Sequence, residues 1–224
     1  MSEESKKQQT WLSSWYQRGR FFYGWLRNPR RVGAVLPSGA AVGKLLVTGV
    51  RPGARVIELG GGTGTVTQAI LDAGVDREDL LVLEKDPGFV KFLRRRFPGV
   101  KVIQANALEL DIYANELSGA PDFVISGLPL LFFTNEEKKR LIDNVFAVLA
   151  PRGRFHQFSY VARCTVPAEQ LRAVGARASL IGVALFNVPP CFVFRLRKSA
   201  AGAHKELSVL RSSLRKLGIG RRAG

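Results

Sequence analysis

A glycine-rich loop is the feature that most constrains how this 224-residue chain can fold. The run Glu58-Leu59-Gly60-Gly61-Gly62-Thr63-Gly64 follows an apolar segment, and a helical pattern begins soon after it. Closely spaced glycines let the backbone turn tightly and approach a ligand where a Cβ would collide with it. The N-terminus of the following helix offers free N–H groups to a carboxylate or a phosphate. The run therefore predicts a strand–turn–helix unit with a ligand at the turn.

Short β-rich runs alternate with helical patterns on both sides of this loop. The predicted strands are 54–59, 80–83, 100–103, 123–125, 154–158, 180–186 and 192–196, and the predicted helices are 66–73, 88–97, 135–149 and 168–174. The first four strands show little alternation, which is typical of parallel strands buried on both faces. Only residues 187–190 separate the last two strands, so these must form an antiparallel hairpin. We expect an α/β, Rossmann-like fold with a seven-stranded, mostly parallel sheet that ends in this hairpin.

The spacing of the loop distinguishes between two classes of nucleotide site. It is not the G-x-G-x-x-G pattern of dinucleotide-binding domains, because Thr65 stands where the third glycine would fall. The pattern E-x-G-x-G-x-G resembles the first motif of class I S-adenosylmethionine (SAM)-dependent methyltransferases. Twenty residues beyond Gly64, Glu84 follows the second predicted strand, where a carboxylate can accept hydrogen bonds from both ribose hydroxyls. The expected cofactor is therefore SAM, with S-adenosylhomocysteine as its product.

Two further loops follow predicted strands at their carboxyl ends, where doubly wound sheets bind ligands. Asn106 stands where related enzymes often carry an Asp that accepts a hydrogen bond from the adenine amino group, and residues 126–130 should lie beside the transferred methyl group. The residues expected to bind the cofactor are Glu58, Gly60, Gly62, Thr63, Gly64, Glu84, Lys85, Asn106, Ala107, Ser126, Gly127 and Leu128. No metal site is expected.

Residues 126–130 also bear on the class of methyl acceptor. Ribosomal RNA adenine dimethylases carry an Asn-Leu-Pro-Tyr type of loop that holds the base amine and stacks a ring on the base. With Pro129 aligned, Gly127 replaces the Asn and Leu130 replaces the Tyr. Only about 28 residues follow Leu196, whereas the dimethylases append a helical RNA-binding domain. An RNA acceptor is disfavoured on these grounds, although the net charge of +16 keeps nucleic acid open as an alternative partner.

Several motifs resemble those of the bacterial phospholipid N-methyltransferases. The resemblance runs from about residue 15 to residue 197 and rests on residues 28–39, 56–64, 126–130, 155–160 and 187–190. It implies methylation of phosphatidylethanolamine toward phosphatidylcholine; ornithine-lipid N-methyltransferases look similar, and these motifs do not separate them. We expect Tyr160 and Tyr23 to orient the acceptor amine or relay its proton. Pro129 and Asn187 are expected on the acceptor side.

The two ends of the chain hold most of the excess positive charge. Residues 1–35 have a surplus of five positive charges and residues 195–224 a surplus of eight, whereas the 159 residues between them have a surplus of three. The first segment interleaves aromatic and basic side chains, as interfacial membrane helices do; the residues concerned are Trp11, Trp15, Arg18, Arg20, Phe22 and Trp25. A helix that caps the core is the alternative interpretation of this segment.

These patterns divide the chain into three parts. We expect residues 1–35 to be a membrane-binding and lid segment, 36–198 the methyltransferase domain and 199–224 a basic amphipathic tail. The partners would be an anionic membrane surface and a phospholipid.

The longest uncharged stretch, 178–194, is interrupted by Asn187-Val188-Pro189-Pro190 and cannot span a membrane. With no apolar N-terminal signal and only two cysteines, a cytoplasmic, peripherally membrane-associated protein is expected. A non-catalytic SAM-binding or membrane-interaction protein is a further alternative.

Overall fold

The computed structural model describes residues 37–185 and 190–199, and within them the chain forms one seven-stranded sheet. The strands are β1 (Val56–Leu59), β2 (Leu80–Glu84), β3 (Lys101–Gln104), β4 (Phe123–Ser126), β5 (Arg154–Ser159), β6 (Ala176–Ala184) and β7 (Cys191–Lys198). Their order across the sheet is β3-β2-β1-β4-β5-β7-β6. Strands β1 to β5 are parallel, and β7 runs antiparallel to both β5 and β6. The predicted fold class, including the terminal antiparallel pair, is confirmed.

Helices cover both faces of this sheet. They are α1 (Pro37–Leu46), α2 (Thr65–Asp72), α3 (Pro87–Arg96), α4 (Leu110–Tyr113), α5 (Asn135–Val148) and α6 (Ala168–Ala173). Because successive strand residues point to opposite faces, the sheet has two cores. Val56 packs with Leu46, Ile70 and Leu93 of the first three helices, whereas the adjacent Ile57 lies in the core formed with α4, α5 and α6.

Two of the helices begin at a side-chain cap supplied by the sequence. The Asp86 side chain accepts hydrogen bonds from the N–H groups of Gly88 and Phe89 at the start of α3, and Pro87 occupies the first helical position. Thr134 and Glu137 form a reciprocal capping box at the start of α5. These local signals explain why both helices were predicted close to their observed bounds.

Four elements differ from expectation. Strand β3 is not fully buried, because it lies at the edge of the sheet; Lys101 and Gln104 are exposed. Strand β6 starts at Ala176 rather than residue 180 and forms the opposite edge. Helices α1 and α4 were not predicted. Helix α1 contains two glycines, which weaken its helical pattern, but a Cβ at Gly43 would lie only 3.2 Å from that of Ala69. Close packing on α2 therefore accounts for the glycine there.

Several predicted residues lie outside the described part of the chain, namely Trp11, Trp15, Arg18, Arg20, Phe22, Tyr23, Trp25 and Asn187. The predicted segment 1–35 lies wholly outside it, and of the predicted tail 199–224 only Ser199 is described. No helix among the described residues has the length and apolar character needed to cross a membrane. The same residues contain no cluster of three or more His, Cys, Asp or Glu side chains that could hold a metal ion.

Candidate active site

The parallel topology brings the predicted loops together at the carboxyl edge of the sheet. The Gly60 N–H donates a hydrogen bond to the Leu83 carbonyl oxygen at the end of β2, and the Gly127 N–H donates to the Leu59 carbonyl oxygen, each at 2.8 Å. The Ala105 N–H donates to the carbonyl oxygen of Glu84 at 3.0 Å. The loops that follow β1 to β4 are therefore joined by backbone hydrogen bonds into one surface.

The three predicted glycines of the loop differ in what a side chain at each position would contact. All have positive φ angles, 80° at Gly60, 49° at Gly62 and 78° at Gly64. A Cβ at Gly60 would lie 2.7 Å from the Leu128 side chain, and one at Gly64 would press on the Phe97 ring. Around Gly62 no described residue outside its chain neighbours lies within 4 Å. The fold itself therefore calls for glycine at positions 60 and 64, whereas a Cβ at Gly62 would meet no described residue; cofactor contact at all three stays a prediction.

Gly61 is a requirement that the sequence reasoning missed. It is buried, and a Cβ there would lie 2.6 Å from Val82 and 2.8 Å from Leu93. The loop can therefore sit against β2 and α3 only if this residue has no side chain. An uninterrupted run of three glycines was the available signal, since the E-x-G-x-G-x-G pattern leaves this position unspecified.

Glu84 is held against the glycine loop by backbone donors. Its Oε2 accepts a hydrogen bond from the Gly62 N–H at 3.0 Å, and its Oε1 accepts one from the Asp86 N–H at 2.8 Å. A carboxylate oxygen has two lone pairs, so each oxygen can accept one more hydrogen bond. Glu84 is oriented beside the open space at Gly62, in a position that fits two ribose hydroxyls.

Glu58 is fully buried at 0% exposure, and its place among the cofactor-binding residues stays a prediction. The Thr67 Oγ1 donates a hydrogen bond to its Oε2 at 2.6 Å, which ties β1 to the first turn of α2. Its Oε1 has no hydrogen-bond partner among the described residues. Burial raises the pKa of Glu58 to about 7, with a smaller contribution from the charge of Glu84, and the Thr67 hydrogen bond opposes the rise.

The remaining cofactor candidates vary in how far they can reach a ligand. The Asn106 Oδ1, expected to accept from adenine, accepts a hydrogen bond from the Leu108 N–H at 3.1 Å and caps a short 3₁₀ helix. It has one lone pair left for a ligand. Ala107 is buried, Lys85 is exposed, and Thr63 is half-buried within the glycine loop. Of these residues, Asn106 and Thr63 combine partial exposure with a polar side chain.

The acceptor loop, residues 126–130, has side-chain constraints of its own. A Cβ at Gly127 would lie 2.9 Å from the Gly60 carbonyl oxygen, so this position has no room for an Asn. Leu130, at the position of the dimethylase Tyr, is only 1% exposed and belongs to the core. Ser126 is 0% exposed, and its Oγ accepts a hydrogen bond from the Leu128 N–H; its contact with the cofactor stays a prediction.

Gln157 fixes the acceptor loop from β5, and the sequence reasoning missed it. Its Nε2 donates to the carbonyl oxygens of Leu128 and Phe158, each at 2.7 Å, and the residue is 1% exposed. Its Oε1 is buried without a hydrogen-bond partner in the described part of the chain. A Gln side chain inside a predicted strand was the available signal for such a role.

The other side chains singled out on β5 have different environments. Tyr160 directly follows β5, is half-buried and packs edge-on against Phe158 with ring centroids 5.0 Å apart. Burial raises the pKa of Tyr160, so its phenol stays neutral at physiological pH and can donate or accept a hydrogen bond. His156 has a structural role: its Nδ1 lies 2.7 Å from the Leu46 carbonyl oxygen, and burial lowers its pKa to about 4.

Comparisons with known proteins agree with this geometry. Residues 56–153 match the methyltransferase domain family. A solved TehB-like SAM-dependent methyltransferase from Corynebacterium glutamicum superposes with a TM-score of 0.56 at 15% identity, covering 82% of this chain and 99% of that one. A Burkholderia thailandensis 1,6-didemethyltoxoflavin-N1-methyltransferase, solved with S-adenosylhomocysteine, superposes with a TM-score of 0.58 at 18% identity, covering 80% and 86%. The described residues therefore have the Rossmann-like fold of SAM-dependent methyltransferases.

Two curated relatives that match part of the chain carry different acceptors in their names. An ornithine lipid N-methyltransferase from Singulisphaera acidiphila is 38% identical over 108 residues, which are 46% of this chain and 56% of that protein. A ribosomal RNA small subunit methyltransferase A from Chlorobium chlorochromatii is 31% identical over 85 residues, 38% of this chain and 31% of that protein. The chain thus spans about half or less of the length of these two relatives.

Proposed function

We propose that this chain transfers methyl groups from SAM to the headgroup amine of a membrane lipid, with phosphatidylethanolamine as the foremost acceptor. The acceptor loop carries the proposal. Gly127 has no room for a polar side chain, and Leu130 is buried in the core rather than available to stack on a base. A loop built in this way suits a small aliphatic amine better than a flipped nucleobase, which needs stacking and edge recognition.

The residues at the carboxyl edge fit SAM as the cofactor. When bound, SAM would supply a methyl group activated by its sulfonium. The amine lone pair would bond to the methyl carbon from the side opposite the sulfur, and the sulfur would leave as a thioether. Glu84 would accept hydrogen bonds from the ribose hydroxyls, and the open space at Gly62 would admit the ligand beside the loop. Thr63 and Asn106 would border the same site.

The chain's own contribution to the chemistry would be to position a neutral amine. The acceptor nitrogen must lose its proton to expose a lone pair, and water can take that proton. The neutral phenol of Tyr160 could accept a hydrogen bond from one of the remaining N–H bonds, beside a loop that Gln157 holds through the Leu128 carbonyl oxygen. Positioning of this kind can supply much of the acceleration when the methyl group is already activated.

Ornithine lipid is the nearest alternative acceptor, because a relative with that activity in its name is 38% identical over the matched region. An RNA acceptor is the second candidate. It is favoured by the net charge of +16 and by the similarity to a ribosomal RNA methyltransferase, and disfavoured by the acceptor loop. We propose further that residues 1–35 and the basic tail bind an anionic membrane surface, which would place the enzyme at the membrane periphery.

A labelling assay tests the acceptor. The full chain and methyl-labelled SAM are incubated in parallel with one of three acceptors: vesicles containing phosphatidylethanolamine, vesicles containing ornithine lipid, or ribosomal RNA. The labelled products are identified by chromatography. We expect label in methylated phosphatidylethanolamine, with lipid labelling far above RNA labelling. Label confined to ornithine lipid would show that ornithine lipid, and not phosphatidylethanolamine, is the acceptor. Label confined to RNA would refute the lipid proposal.

Vesicle co-sedimentation tests the membrane segment. Replacing Trp11, Trp15 and Trp25 with Ala should remove the part of binding that survives high salt, because burial of the rings is not screened by ions. Replacing Arg18 and Arg20 with Glu should remove the salt-sensitive part, worth about 1 kcal/mol for each basic residue near an anionic surface. Neutral vesicles, to which only the apolar part applies, are the control. Unchanged binding by both variants would contradict the assignment.

A further inference from the structure

A basic cleft lies outside the cofactor site, on the face of the sheet covered by α5 and α6. It has a volume of about 660 Å³ and lies among the 3₁₀ helix Leu130–Phe132, the start of α5, residues 163–167, α6 and the start of β6. A volume of this size is within the range of pockets that bind small molecules.

Four cations line this cleft without a compensating acid. They are Lys138, Arg163, Arg172 and Arg177, and no Asp or Glu is among the lining residues. None of the four makes an ion pair with another residue in the described part of the chain. Burial lowers the pKa of Lys138, and the positive charge of Arg163 lowers it further, as repulsion between these two cations would. An anion among them would relieve that repulsion.

The rest of the lining is largely apolar. Leu131, Val166 and Leu171 contribute to it, together with a hydroxyl, Thr165 Oγ1, that is buried with no hydrogen-bond partner among the described residues. A hydroxyl can donate to an oxyanion while aliphatic side chains contact the hydrocarbon part of the same ligand. Cations, one free hydroxyl and apolar walls together match an amphiphile with an anionic head.

The chain connects the cleft to the acceptor side of the active site. Leu131 lies next to the last residue of the acceptor loop, and Arg163 lies three residues beyond Tyr160. The cleft is therefore lined by the segments that leave the carboxyl ends of β4 and β5. A molecule with an amine and an oxyanion could engage both places.

We propose that this cleft binds the phosphate of the acceptor lipid's headgroup, with the four cations and Thr165 as its ligands. The inference rests on the proposed function and makes it more specific. Phosphatidylethanolamine carries a phosphate next to its amine, whereas ornithine lipid carries a carboxylate and no phosphate. A cradle of four cations suits a phosphate, whose several oxygens can accept charge-assisted hydrogen bonds, better than a single carboxylate.

Direct binding tests the cleft without relying on catalysis. Glycerophosphoethanolamine, a soluble headgroup, is titrated into the full chain at low salt and followed by phosphorus NMR and calorimetry. The cleft variant replaces Arg163 and Arg172 with Gln. The matched control replaces Arg51 and Arg152 with Gln. These two residues are exposed and do not line the cleft, so both variants lose two positive charges. Circular dichroism and thermal unfolding establish that each variant is folded.

We expect the cleft variant to bind the headgroup about tenfold more weakly or worse and the control to bind like the wild type. Equal binding by the cleft variant and the wild type overturns the proposal. Inorganic phosphate is the second probe; if it binds as tightly as the headgroup and displaces it, the cleft is a site for free phosphate and the lipid assignment is overturned. A short RNA that displaces the headgroup at lower concentration overturns it as well.

Lipid methylation separates this inference from the proposed function. In neutral vesicles, the cleft variant should raise the KM for phosphatidylethanolamine about tenfold and change that for ornithine lipid much less. An equal rise for both lipids would refute a phosphate-specific site. If the wild type methylates neither lipid but the cleft variant still loses headgroup binding, the proposed function fails and the phosphate site stands.

Discussion

Replacing Glu58 with Gln should stabilise the folded chain above neutral pH and leave its stability nearly unchanged at pH 4.5. Burial raises the pKa of Glu58 from its ordinary value of 4.5 to about 7, and unfolding returns the carboxyl group to water. Above pH 7 the folded chain therefore holds a negative charge in its interior, whereas the unfolded chain solvates it. A Gln side chain retains an acceptor for the Thr67 hydroxyl and carries no charge.

The size of the effect follows from the two pKa values. One pKa unit corresponds to about 1.4 kcal/mol, so the change from 4.5 to about 7 corresponds to about 3 kcal/mol. Between these values the folded chain binds a proton that the unfolded chain has released, so this group makes stability fall as pH rises. Below pH 4.5 both states are protonated and the contribution disappears. The advantage of the variant should grow through this window and stay constant above it.

Urea unfolding at pH 4.5, 6 and 8, followed by far-UV circular dichroism, measures this advantage. Each variant is compared with the wild type at the same pH, because His156 titrates in the opposite sense. Glu78→Gln is the matched control, since Glu78 is exposed and the chemical change is identical. If the advantage of Glu58→Gln were the same at pH 4.5 and pH 8, the folded carboxyl would have an ordinary pKa and the argument from burial would be wrong.

Three further substitutions probe the cofactor site and the core. Glu84→Ala should weaken SAM binding by about 2 kcal/mol because hydrogen bonds to a charged acceptor are lost, and unchanged calorimetric affinity would remove Glu84 from the site. Gly62→Val should abolish SAM binding by filling ligand space; Gly53→Val, also at a positive φ with nothing within 4 Å, is the control for backbone strain and should bind SAM normally. Burial lowers the pKa of His156 from 6.5 to about 4, so wild-type stability should lose about 3 kcal/mol from this group between pH 6.5 and pH 4. His156→Gln should remove that loss, and urea unfolding at both pH values would show whether it persists.

The parallel central strands, the terminal antiparallel pair and the carboxyl-edge location of the candidate site could be anticipated from local patterns. Short apolar runs, such as the first four residues of Leu80–Glu84, are typical of buried strands. A helix between two such strands is the usual connection between parallel neighbours in a sheet. Edge strands were harder to define. β6 begins four residues before the predicted start. The prediction missed these residues because the exposed face of the strand carries polar side chains such as Arg177 and Ser179. A half-exposed strand does not produce a continuous apolar run.

Residue identity and spacing along the sequence determined the glycine loop, the carboxylate of Glu84 and the departure of the acceptor loop from the RNA dimethylase pattern. These features are recognisable in a single chain because each depends on a few adjacent residues and on the strand that precedes them. Only the tertiary structure decided that Gly62 faces open space while Gly60 packs on Leu128, that Glu58 is sealed in the core, and that cations from α5, α6 and β6 line one cleft. Each of these outcomes depends on contacts between segments far apart in the chain, and such contacts leave no local pattern in the sequence.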